Sequence, residues 1–408
     1  MNFIHVSDLH LGYAQYGLDE RFRDYARAFQ SVIRYAIDNK AEFVVISGDL
    51  FHKRNINAPT YLQAYKVLSE LREKSPSTQV FAIEGNHDLA YSQDGKSWSE
   101  ILNSQGLLRL LRTKEADGVS LMGDVIELDN VRIFGVKYLG SSTVSTIPRI
   151  AEEIRKIREL RGAKYTILMM HFGLEGQVKQ ASAGEIPYSS LLVLKDVVNY
   201  LALGHYHMNY ECDGWIFNPG SVEMVSMSEH GLPKGFYHVS DSGAKLVTPP
   251  IRPVRRISLD MSGIASPDEL YSRIRGIENE PPLPPGALVE LSLYGAMGFQ
   301  KSDVDLERIK GIISERFNPL WSEVRIAKTS GRYTVTEGDL HGLTREQIEN
   351  FVFSGMVGSD SRYKDHTKEV VSNILEVKKK VSAKLGDEDI QKELRCGFER
   401  IESGVNKV

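Results

Sequence analysis

The chain has 408 residues, which exceeds the usual size of a single hydrophobic core, so the sequence predicts two or three domains. Its composition, 41% hydrophobic and 25% charged, is typical of an ordinary soluble globular protein. The net charge of −4 excludes a global basic field, so a nucleic-acid partner would need bound cations or local basic patches.

The start of the chain and its cysteines indicate the cellular compartment. Residues MNFIHVSD already read as a strand, and no apolar run is long enough to cross a bilayer. Cys212 and Cys396 are far apart in sequence, so a disulfide framework is not expected. We therefore expect no signal peptide and no membrane partner, and a cytoplasmic location that is nucleoid-associated if the cell is prokaryotic.

The first predicted domain, residues 1–247, alternates short apolar strands with longer helical patterns, as a layered α/β domain does. The predicted helices cover 20–38, 59–72 and 148–160. The predicted strands read FIHVSD, EFVVISGD, VFAIEGN, VRIFGV, YTILMMH, YLALGHYH, WIFNPGS and GFYHV.

A Pro-rich step, TPPIRPVRR, predicts a boundary, and residues 248–335 follow as a small α/β domain. Its first strand, RRISLDM, precedes a helix for which Ser266 and Glu269 predict a capping box, with Pro267 at the first helical position. ALVELSLY alternates as a half-buried strand would, a helix carries Leu306 and Ile309, and a last strand lies near WSEVRIA.

Residues 336–408 form a predicted helical segment. Thr344 and Gln347 can cap a helix that carries Ile348, Phe351 and Val352. Further on, an apolar stripe repeats at helical spacing: Val370, Ile374, Val377, Val381 and Leu385. The stripe either packs on this chain or docks a partner, and the sequence does not decide between the two.

Polar groups that bind metals follow several of the predicted strands. They are Asp8, His10, Asp49, Asn86, His171, His205 and His207. Ligands at the carboxyl ends of neighbouring strands converge on one crevice, and the glycines before Asp49 and Asn86 let the backbone turn sharply. We therefore expect these groups to form one site.

The number and type of these groups indicate two metal ions. One ion takes four to six ligands, so seven convergent groups suit two ions that share a carboxylate. Four imidazoles with oxygen ligands and no thiolate favour Mn, Fe, Co or Zn over Mg alone. Each motif by itself is more often a hydrogen-bonding pair, but the five motifs in this order predict a dinuclear centre.

This order of motifs, Asp8-x-His10, Gly48-Asp49, Gly85-Asn86-His87-Asp88, His171 and Gly204-His205-x-His207, resembles the calcineurin-like metallophosphoesterase superfamily. The resemblance implies a sandwich of two β-sheets flanked by helices. It also assigns Asp8, His10, Asp49 and His207 to one metal, and Asp49, Asn86, His171 and His205 to the other. Asp49 is then the bridge.

Three further residues of these motifs are expected near the metals. His87 follows a ligand, so it lies at the rim, where a group with an ordinary pKa of about 6.5 could pass a proton to the leaving oxygen. The family resemblance also implies that it is the proton donor, although it could instead only orient its neighbours. His52 is the second catalytic candidate, placed to orient His87 or to contact the phosphate, and Asp88 is expected to support a ligand.

Three longer strings, GDLFHKRNINAP, VFAIEGNHD and NPGSVEM, resemble the DNA double-strand-break repair nucleases of the SbcD type. This resemblance implies Mn²⁺-dependent exonuclease and endonuclease activity at DNA ends and on single strands. It also implies a capping domain that contacts DNA, and a C-terminal segment that binds a coiled-coil SMC-like ATPase. The chain departs from the pattern after GDLFH, where it has Lys53 and Arg54 and places its proline only at Pro59, so this loop's substrate contact stays open.

Contacts to flanking phosphates and a homodimer are further expectations. The phosphates would meet Lys53 and Arg54, or the cluster Arg252, Arg255 and Arg256, which could equally be a solvated linker. The resemblance implies a homodimer formed through helices near the site, whose apolar groups could alternatively belong to the core. They are Tyr61, Leu62, Tyr65, Leu68, Trp98, Ile101 and Leu102.

Two other functions compete with the nuclease. A small-molecule or cyclic-nucleotide phosphodiesterase of the same superfamily would use the same metals but offers no role for the C-terminal stripe. A metal-free scaffold on this fold would have lost ligands, and the presence of all seven argues against it.

Overall fold

A computed structural model of the chain describes residues 1–90, 95–112, 125–177, 185–279, 281–326, 345–358 and 366–382. The chain divides into two compact units. The first contains Met1–Arg256, Glu280–Val289 and Phe317–Trp321, and the second contains Ile257–Asn279, Glu290–Arg316 and Ser322–Val408. The three predicted domains, 1–247, 248–335 and 336–408, stay a prediction beside this division.

Two six-stranded sheets form the framework of the first unit. In spatial order the first sheet contains β12 (Gly243–Val247), β11 (Phe236–Ser240), β1 (Phe3–Val6), β2 (Phe43–Ser47), β3 (Gln79–Ile83) and β4 (Arg109–Leu110). The second contains β5 (Ile126–Glu127), β6 (Val131–Gly135), β7 (Tyr165–Met169), β8 (Tyr200–Ala202), β10 (Ile216–Asn218) and β9 (Tyr210–Cys212). The eight predicted strands are all present, whereas β4, β5, β9 and β12 were missed.

Side chains alternate between the two faces of each sheet, which produces three apolar layers. On β2, Phe43 and Val45 enter the core between the sheets, where they join Ile167 and Tyr200 of the second sheet. Val44 and the other residues on the outer face pack under helices instead. Each of these fully buried side chains contributes about 1.5–3 kcal/mol, so both sheet faces must be covered.

Helices cover the outer faces of the sandwich. They are α1 (Asp19–Asp38), α2 (Ala58–Lys74), α3 (Trp98–Ser104), α4 (Thr143–Arg161) and α5 (Tyr188–Leu191). The predicted helix from residue 148 in fact begins at Thr143, with Pro148 inside it. The α2 prediction is close, because Asn57 Oδ1 accepts a hydrogen bond from the Thr60 N–H at 3.0 Å and begins the helix.

The later elements are β13 (Val254–Asp260), α6 (Pro267–Arg275), β14 (Leu288–Tyr294), α7 (Leu306–Phe317), β15 (Trp321–Ile326), α8 (Arg345–Gly358) and α9 (Thr367–Ser382). The three strands form a sheet in the order β13-β14-β15. Ser266 caps α6 as predicted, but the capping box is wrong, because the Glu269 carboxylate accepts from the Ala265 N–H at 3.0 Å. β14 is central and nearly all buried rather than half-buried.

The helices α8 and α9 contact one another within the second unit. Lys378 of α9 donates to Glu349 of α8 at 2.5 Å, and Val371 is buried. Of the predicted stripe, Val381 is exposed and Leu385 lies outside the described residues. Thr344, the side chain of Ile348 and Cys396 also lie outside them. Among the described helices, none combines the length and the apolar character needed to cross a membrane.

Candidate metal centre

The topology brings the carboxyl ends of five strands to one edge of the sandwich. β1, β2 and β3 are adjacent and parallel in the first sheet, and β7 and β8 are adjacent and parallel in the second. Asp8, Asp49 and Asn86 follow the first three strands, while His171 and His205 follow the other two. Metal-binding groups from both sheets therefore meet at the same edge, as the order of motifs predicts.

The glycines before Asp49 and Asn86 are required by space, and the first of them also by its backbone conformation. Gly48 has φ +93°, and a Cβ there would lie 2.3 Å from His171 Nδ1. A Cβ on Gly85 would lie 2.1 Å from Asp49 Oδ1. Since real Cβ atoms do not make such contacts, only glycine lets each loop approach a metal-binding side chain of a neighbouring loop, His171 for Gly48 and Asp49 for Gly85.

Four residues of the predicted ligand set have left-handed backbone conformations. Their φ angles are 52° for Asp8, 45° for His10, 53° for Asp49 and 94° for His205. Such conformations are uncommon for residues other than glycine and cost on the order of 1–3 kcal/mol each. The rest of the fold stabilises these turns, and they direct the four side chains toward a common centre.

One group of ligands forms around His10. Its Nε2 lies 3.0 Å from His207 Nε2, and Asp8 Oδ1 lies 4.0 Å from the same His207 nitrogen. Asp8, His10 and His207 each place a ligand atom within 4.8 Å of the others. An oxygen and two imidazole nitrogens at this spacing suit one divalent transition-metal ion.

A second group forms around the Asn86 amide. Asn86 Oδ1 lies 3.2 Å from His171 Nε2 and 3.1 Å from His205 Nδ1. Asp49 Oδ2 lies 3.4 Å from the same His171 nitrogen. These four side chains are the set that the family resemblance assigns to the second metal.

The structure thus brings all seven predicted ligands together, in two groups that share carboxylates. Asp8, Asp49 and His171 also place ligand atoms within 4.8 Å of one another, so Asp8 belongs to two of the clusters that could hold a cation. The assignment of Asp49 as the bridge stays a prediction.

The electrostatics of the centre fit the binding of positive charge. Burial lowers the pKa of His171, but Asp49 and other neighbours outweigh it and raise that pKa to about 9. Burial lowers the pKa of His10 well below its usual value, with His207 as a second cause, and that of His205 to about 4. The lowered pKa values keep His10 and His205 as neutral imidazoles, the form that a ligating histidine needs, whereas His171 must release its proton when a metal ion binds.

The two catalytic candidates lie against this centre. The His87 N–H donates to Asp49 Oδ1 at 2.9 Å, and His87 Nδ1 lies 2.7 Å from the His52 carbonyl oxygen. A carbonyl only accepts, so Nδ1 carries a proton and Nε2 is the nitrogen left for substrate. The His52 ring stacks on that of Tyr13, with centroids 3.9 Å apart, and burial lowers its pKa to about 4.

Asp88 connects the two loops that carry Asp49 and Asn86. Its carboxylate accepts the N–H groups of Leu50 at 3.1 Å, Phe51 at 2.9 Å and Gly85 at 3.1 Å. Such multiple backbone bonds hold a loop in one conformation. This arrangement agrees with the supporting role expected for Asp88.

Several residues that contact the centre were missed by the sequence analysis. Glu229 and Lys234 form a buried pair at His207, and the Tyr138 ring lies 5.9 Å from the His205 ring. Arg54, which the sequence analysis names only as a phosphate contact, donates from Nε to the Asn86 carbonyl at 3.1 Å. The first three are not in a strand-end motif, so spacing provides no signal for them.

The sequence of the chain matches one family model and several proteins of known name. Residues 1–209 match the family model described as calcineurin-like phosphoesterase. A protein named "DNA double-strand break repair protein Mre11" from Archaeoglobus fulgidus is 28% identical over 88% of this chain and 84% of its own length. The protein of the same name from Methanococcus maripaludis is 30% identical over 58% of this chain and 62% of its own. A third, from Methanocaldococcus jannaschii, is 28% identical over 69% of this chain and 75% of its own.

Proposed function

Since the model of the calcineurin-like phosphoesterase family matches more than half of the chain, the protein belongs to that family, and we propose that it is a nuclease that hydrolyses phosphodiester bonds at DNA ends during double-strand-break repair. The match to the archaeal repair proteins over most of the chain supports this substrate. The observation that carries the proposal is the convergence of seven metal-binding groups from two sheets, with His87 at their rim.

The metal-binding role is part of the proposal. Asp8, His10 and His207 would hold one divalent ion with Asp49, and Asn86, His171 and His205 would hold the other. Two such ions neutralise the phosphodiester, lower the pKa of an attacking water and stabilise the leaving oxygen. Imidazole and carboxylate donors without thiolate suit Mn, Fe, Co or Zn, and of these we propose Mn²⁺, the ion that the resemblance to the repair nucleases implies.

The protein's own catalytic group is proposed to be His87. The bond from Nδ1–H to the His52 carbonyl orients the ring, and the bond from its backbone N–H to Asp49 holds it beside the metal ligands. In the protonated ring, Nε2–H would donate a proton to the leaving 3′ or 5′ oxygen. His52 would act by orienting His87 through this carbonyl.

Basic residues near the centre are the proposed contacts to flanking phosphates. Lys53 and Arg54 lie further along the loop that follows β2 and carries Asp49. Arg252 is a poorer candidate, because its side chain is 14% exposed and its Nε and Nη2 donate to Asp24 at 2.5 and 2.9 Å. Arg252 is therefore neither a solvated linker residue nor a cation available to DNA.

A homodimer is proposed through part of the predicted face. On α2, Leu62 is 46% exposed and Tyr65 is 37% exposed, which suits an apolar contact. Leu68 and Leu102 are buried and belong to the core of this chain. The core interpretation therefore holds for these two, and the contact surface reduces to the outward side of α2.

The remaining parts of the proposal concern partners and location. We propose that the helices from residue 345 onward bind a coiled-coil SMC-like ATPase, since half-buried apolar positions such as Ile374 and the exposed Val381 remain on α9. A protein that acts on chromosomal DNA would work in the cytoplasm, at the nucleoid of a prokaryotic cell.

Digestion of linear duplex DNA with Mn²⁺ tests this function. The wild-type protein should degrade the duplex, while Asp49→Ala should lose both metal binding and cleavage. Turnover of bis(p-nitrophenyl) phosphate or of a cyclic nucleotide without cleavage of DNA would contradict the nuclease and favour the small-molecule phosphodiesterase. Absence of bound metal and of any turnover would leave only the scaffold.

A further inference from the structure

The histidines of the centre differ in the hydrogen-bond partner of the ring nitrogen that faces away from the proposed metal position. His171 Nδ1 donates to the Ser47 carbonyl oxygen at 2.8 Å, which is a neutral backbone group. His207 Nδ1 lies 2.9 Å from Glu229 Oε1, which is a carboxylate. Among the described contacts of these four rings, only His207 has a carboxylate at its remote nitrogen.

The Glu229 carboxylate is itself held by two donors. Its Oε2 accepts from Lys234 Nζ at 2.5 Å and from the Val225 N–H at 3.1 Å. Lys234 is 3% exposed, and Nζ also donates to the His207 carbonyl oxygen and to Ser221 Oγ, both at 2.9 Å. A buried lysine with three acceptors fixes both the carboxylate and the backbone of the ligand that the carboxylate contacts.

The segment that carries Glu229 is also anchored. Met224 accepts at its carbonyl from Arg21 Nη2 at 2.9 Å and from the Tyr25 hydroxyl at 2.8 Å. Ser226 then caps the short 3-10 helix that ends at Glu229. Glu229 therefore cannot follow a rotation of His207 without breaking bonds at both ends of its segment.

The hydrogen bond to Glu229 determines the tautomer of His207. A carboxylate only accepts, so Nδ1 carries a proton, and Nε2 has its lone pair whenever the ring is neutral. The His207 Nε2 lies 3.0 Å from His10 Nε2, so both nitrogens could bind the same cation. A carboxylate at the remote nitrogen also makes the imidazole a stronger ligand.

We propose that the buried Glu229–Lys234 pair is a positioning device that sets the metal affinity of the Asp8–His10–His207 position alone, while the Asn86–His171–His205 position does not depend on it. The two metal positions would then be chemically unequal, one with a carboxylate-supported histidine and one with a backbone-supported histidine. This inference rests on the metal-binding role in the proposed function.

Glu229→Gln provides the sharpest test because it keeps the shape of the side chain. If the oxygen of the new amide continues to accept from Lys234 and Val225, its N–H₂ group faces His207 Nδ1 and requires the opposite tautomer, with a proton on Nε2 toward the metal. Glu229→Asp keeps the negative charge and should retain part of the metal affinity of the Asp8–His10–His207 position. Glu159→Gln replaces an exposed glutamate on α4 and is the matched control.

The experiment titrates the metal-free full-length chain with Mn²⁺ by calorimetry and by electron paramagnetic resonance. We expect two bound ions in the wild type and in Glu159→Gln. In Glu229→Gln one site should weaken by about 10–100-fold while the other is unchanged, and the signal of a coupled Mn²⁺ pair should give way to that of an isolated ion. Nitrogen-15 spectra of labelled histidine in the metal-free protein, at a pH at which the His207 ring is neutral, should show His207 protonated at Nδ1 in the wild type and at Nε2 in Glu229→Gln.

Each contrary result has a distinct meaning. Equal affinities in the wild type and Glu229→Gln, or equal weakening of both sites, would overturn the inference and leave the proposed function intact. A lowered melting temperature of metal-free Glu229→Gln would prompt the same titration on Glu229→Asp, and equal weakening of both metal positions in that variant would overturn the inference as well. If the wild-type protein bound no Mn²⁺ at all, the proposed function itself would be contradicted.

Discussion

The backbone N–H of His87 donates a hydrogen bond to Asp49 Oδ1 at 2.9 Å, across the gap between the loops that follow β3 and β2. The proposed proton donor is therefore held on a proposed metal ligand by a main-chain group. Its ring is positioned separately, through the His52 carbonyl. Removal of the ring thus leaves the bond to Asp49 in place.

His87→Ser should consequently keep both metals and DNA binding and lose cleavage. The loss should be on the order of 10²–10⁴-fold, which is the usual contribution of general acid catalysis. Metal content by elemental analysis, DNA binding by fluorescence anisotropy and single-turnover digestion measure the three properties. Loss of metal from this variant would reassign His87 to a structural role.

Gly85→Ala should disrupt the centre, because the added Cβ would lie 2.1 Å from Asp49 Oδ1. We expect the variant to lose most of its Mn²⁺ affinity and all detectable cleavage. Gly311→Ala is the matched control: this glycine lies in α7, a Cβ there meets no atom within 4 Å, and the change should stabilise the helix by about 0.5–1 kcal/mol. Titration with Mn²⁺ and thermal melting compare the two, and unaltered metal binding in Gly85→Ala would contradict the geometry.

The proposed dimer predicts that Leu62→Glu with Tyr65→Glu yields a monomer that keeps its fold. Both side chains are exposed on α2, so the substitutions should leave the melting temperature of the isolated chain nearly unchanged. Light scattering after size exclusion measures the mass. Leu160→Glu, at a residue of α4 that is 71% exposed, is the control and should leave the mass of the dimer unaltered. A wild-type protein that is monomeric at high concentration would refute the dimer.

His5 predicts a loss of stability in acid. The residue is buried between the sheets, where its ring bonds to the Tyr200 hydroxyl at 2.9 Å and to the Leu203 carbonyl at 3.0 Å. Burial lowers its pKa to about 3. The unfolded chain therefore takes up a proton as the pH falls below about 6.5, while the folded chain does so only near pH 3.

The stabilising contribution of neutral His5 is accordingly complete above pH 6.5 and is lost as the pH falls toward 3, by up to about 1.4 kcal/mol per pH unit. His5→Gln should be less stable than the wild type at pH 8, and the difference between them should shrink between pH 6.5 and 4. Urea unfolding of the metal-free proteins measures this difference, with the exposed His230→Gln as control. A difference independent of pH would show that His5 has the same pKa in the folded and the unfolded chain, and would contradict this prediction.

The predictable parts of the molecule are those in which a local pattern coincides with the final structure. β1, β2 and β3 are apolar runs that stop at small or polar residues, and the same stops mark Asp8, Asp49 and Asn86. Strands such as β4 and β5 have two residues each and exist through pairing with a neighbour rather than through their own sequence. The limits of α4 were missed because Pro148, which normally marks a first turn, lies inside that helix.

Contacts between distant parts of the chain could not be predicted. Arg252 is bound by Asp24, which lies 228 residues earlier, so its local sequence of prolines and arginines gives the wrong impression of a solvated basic cluster. Glu229 meets His207 from a segment without helical or strand periodicity. Both depend on the tertiary fold, which brings together charged groups that no short motif connects.

The central claim is that two divalent ions bind among the seven side chains at this edge of the sandwich. Anomalous diffraction from crystals of the Mn²⁺-loaded protein measures this most directly. We expect two Mn²⁺ peaks, one in contact with His10 and His207 and one in contact with Asn86, His171 and His205. A single peak, no peak, or Mn²⁺ bound to other residues would contradict it.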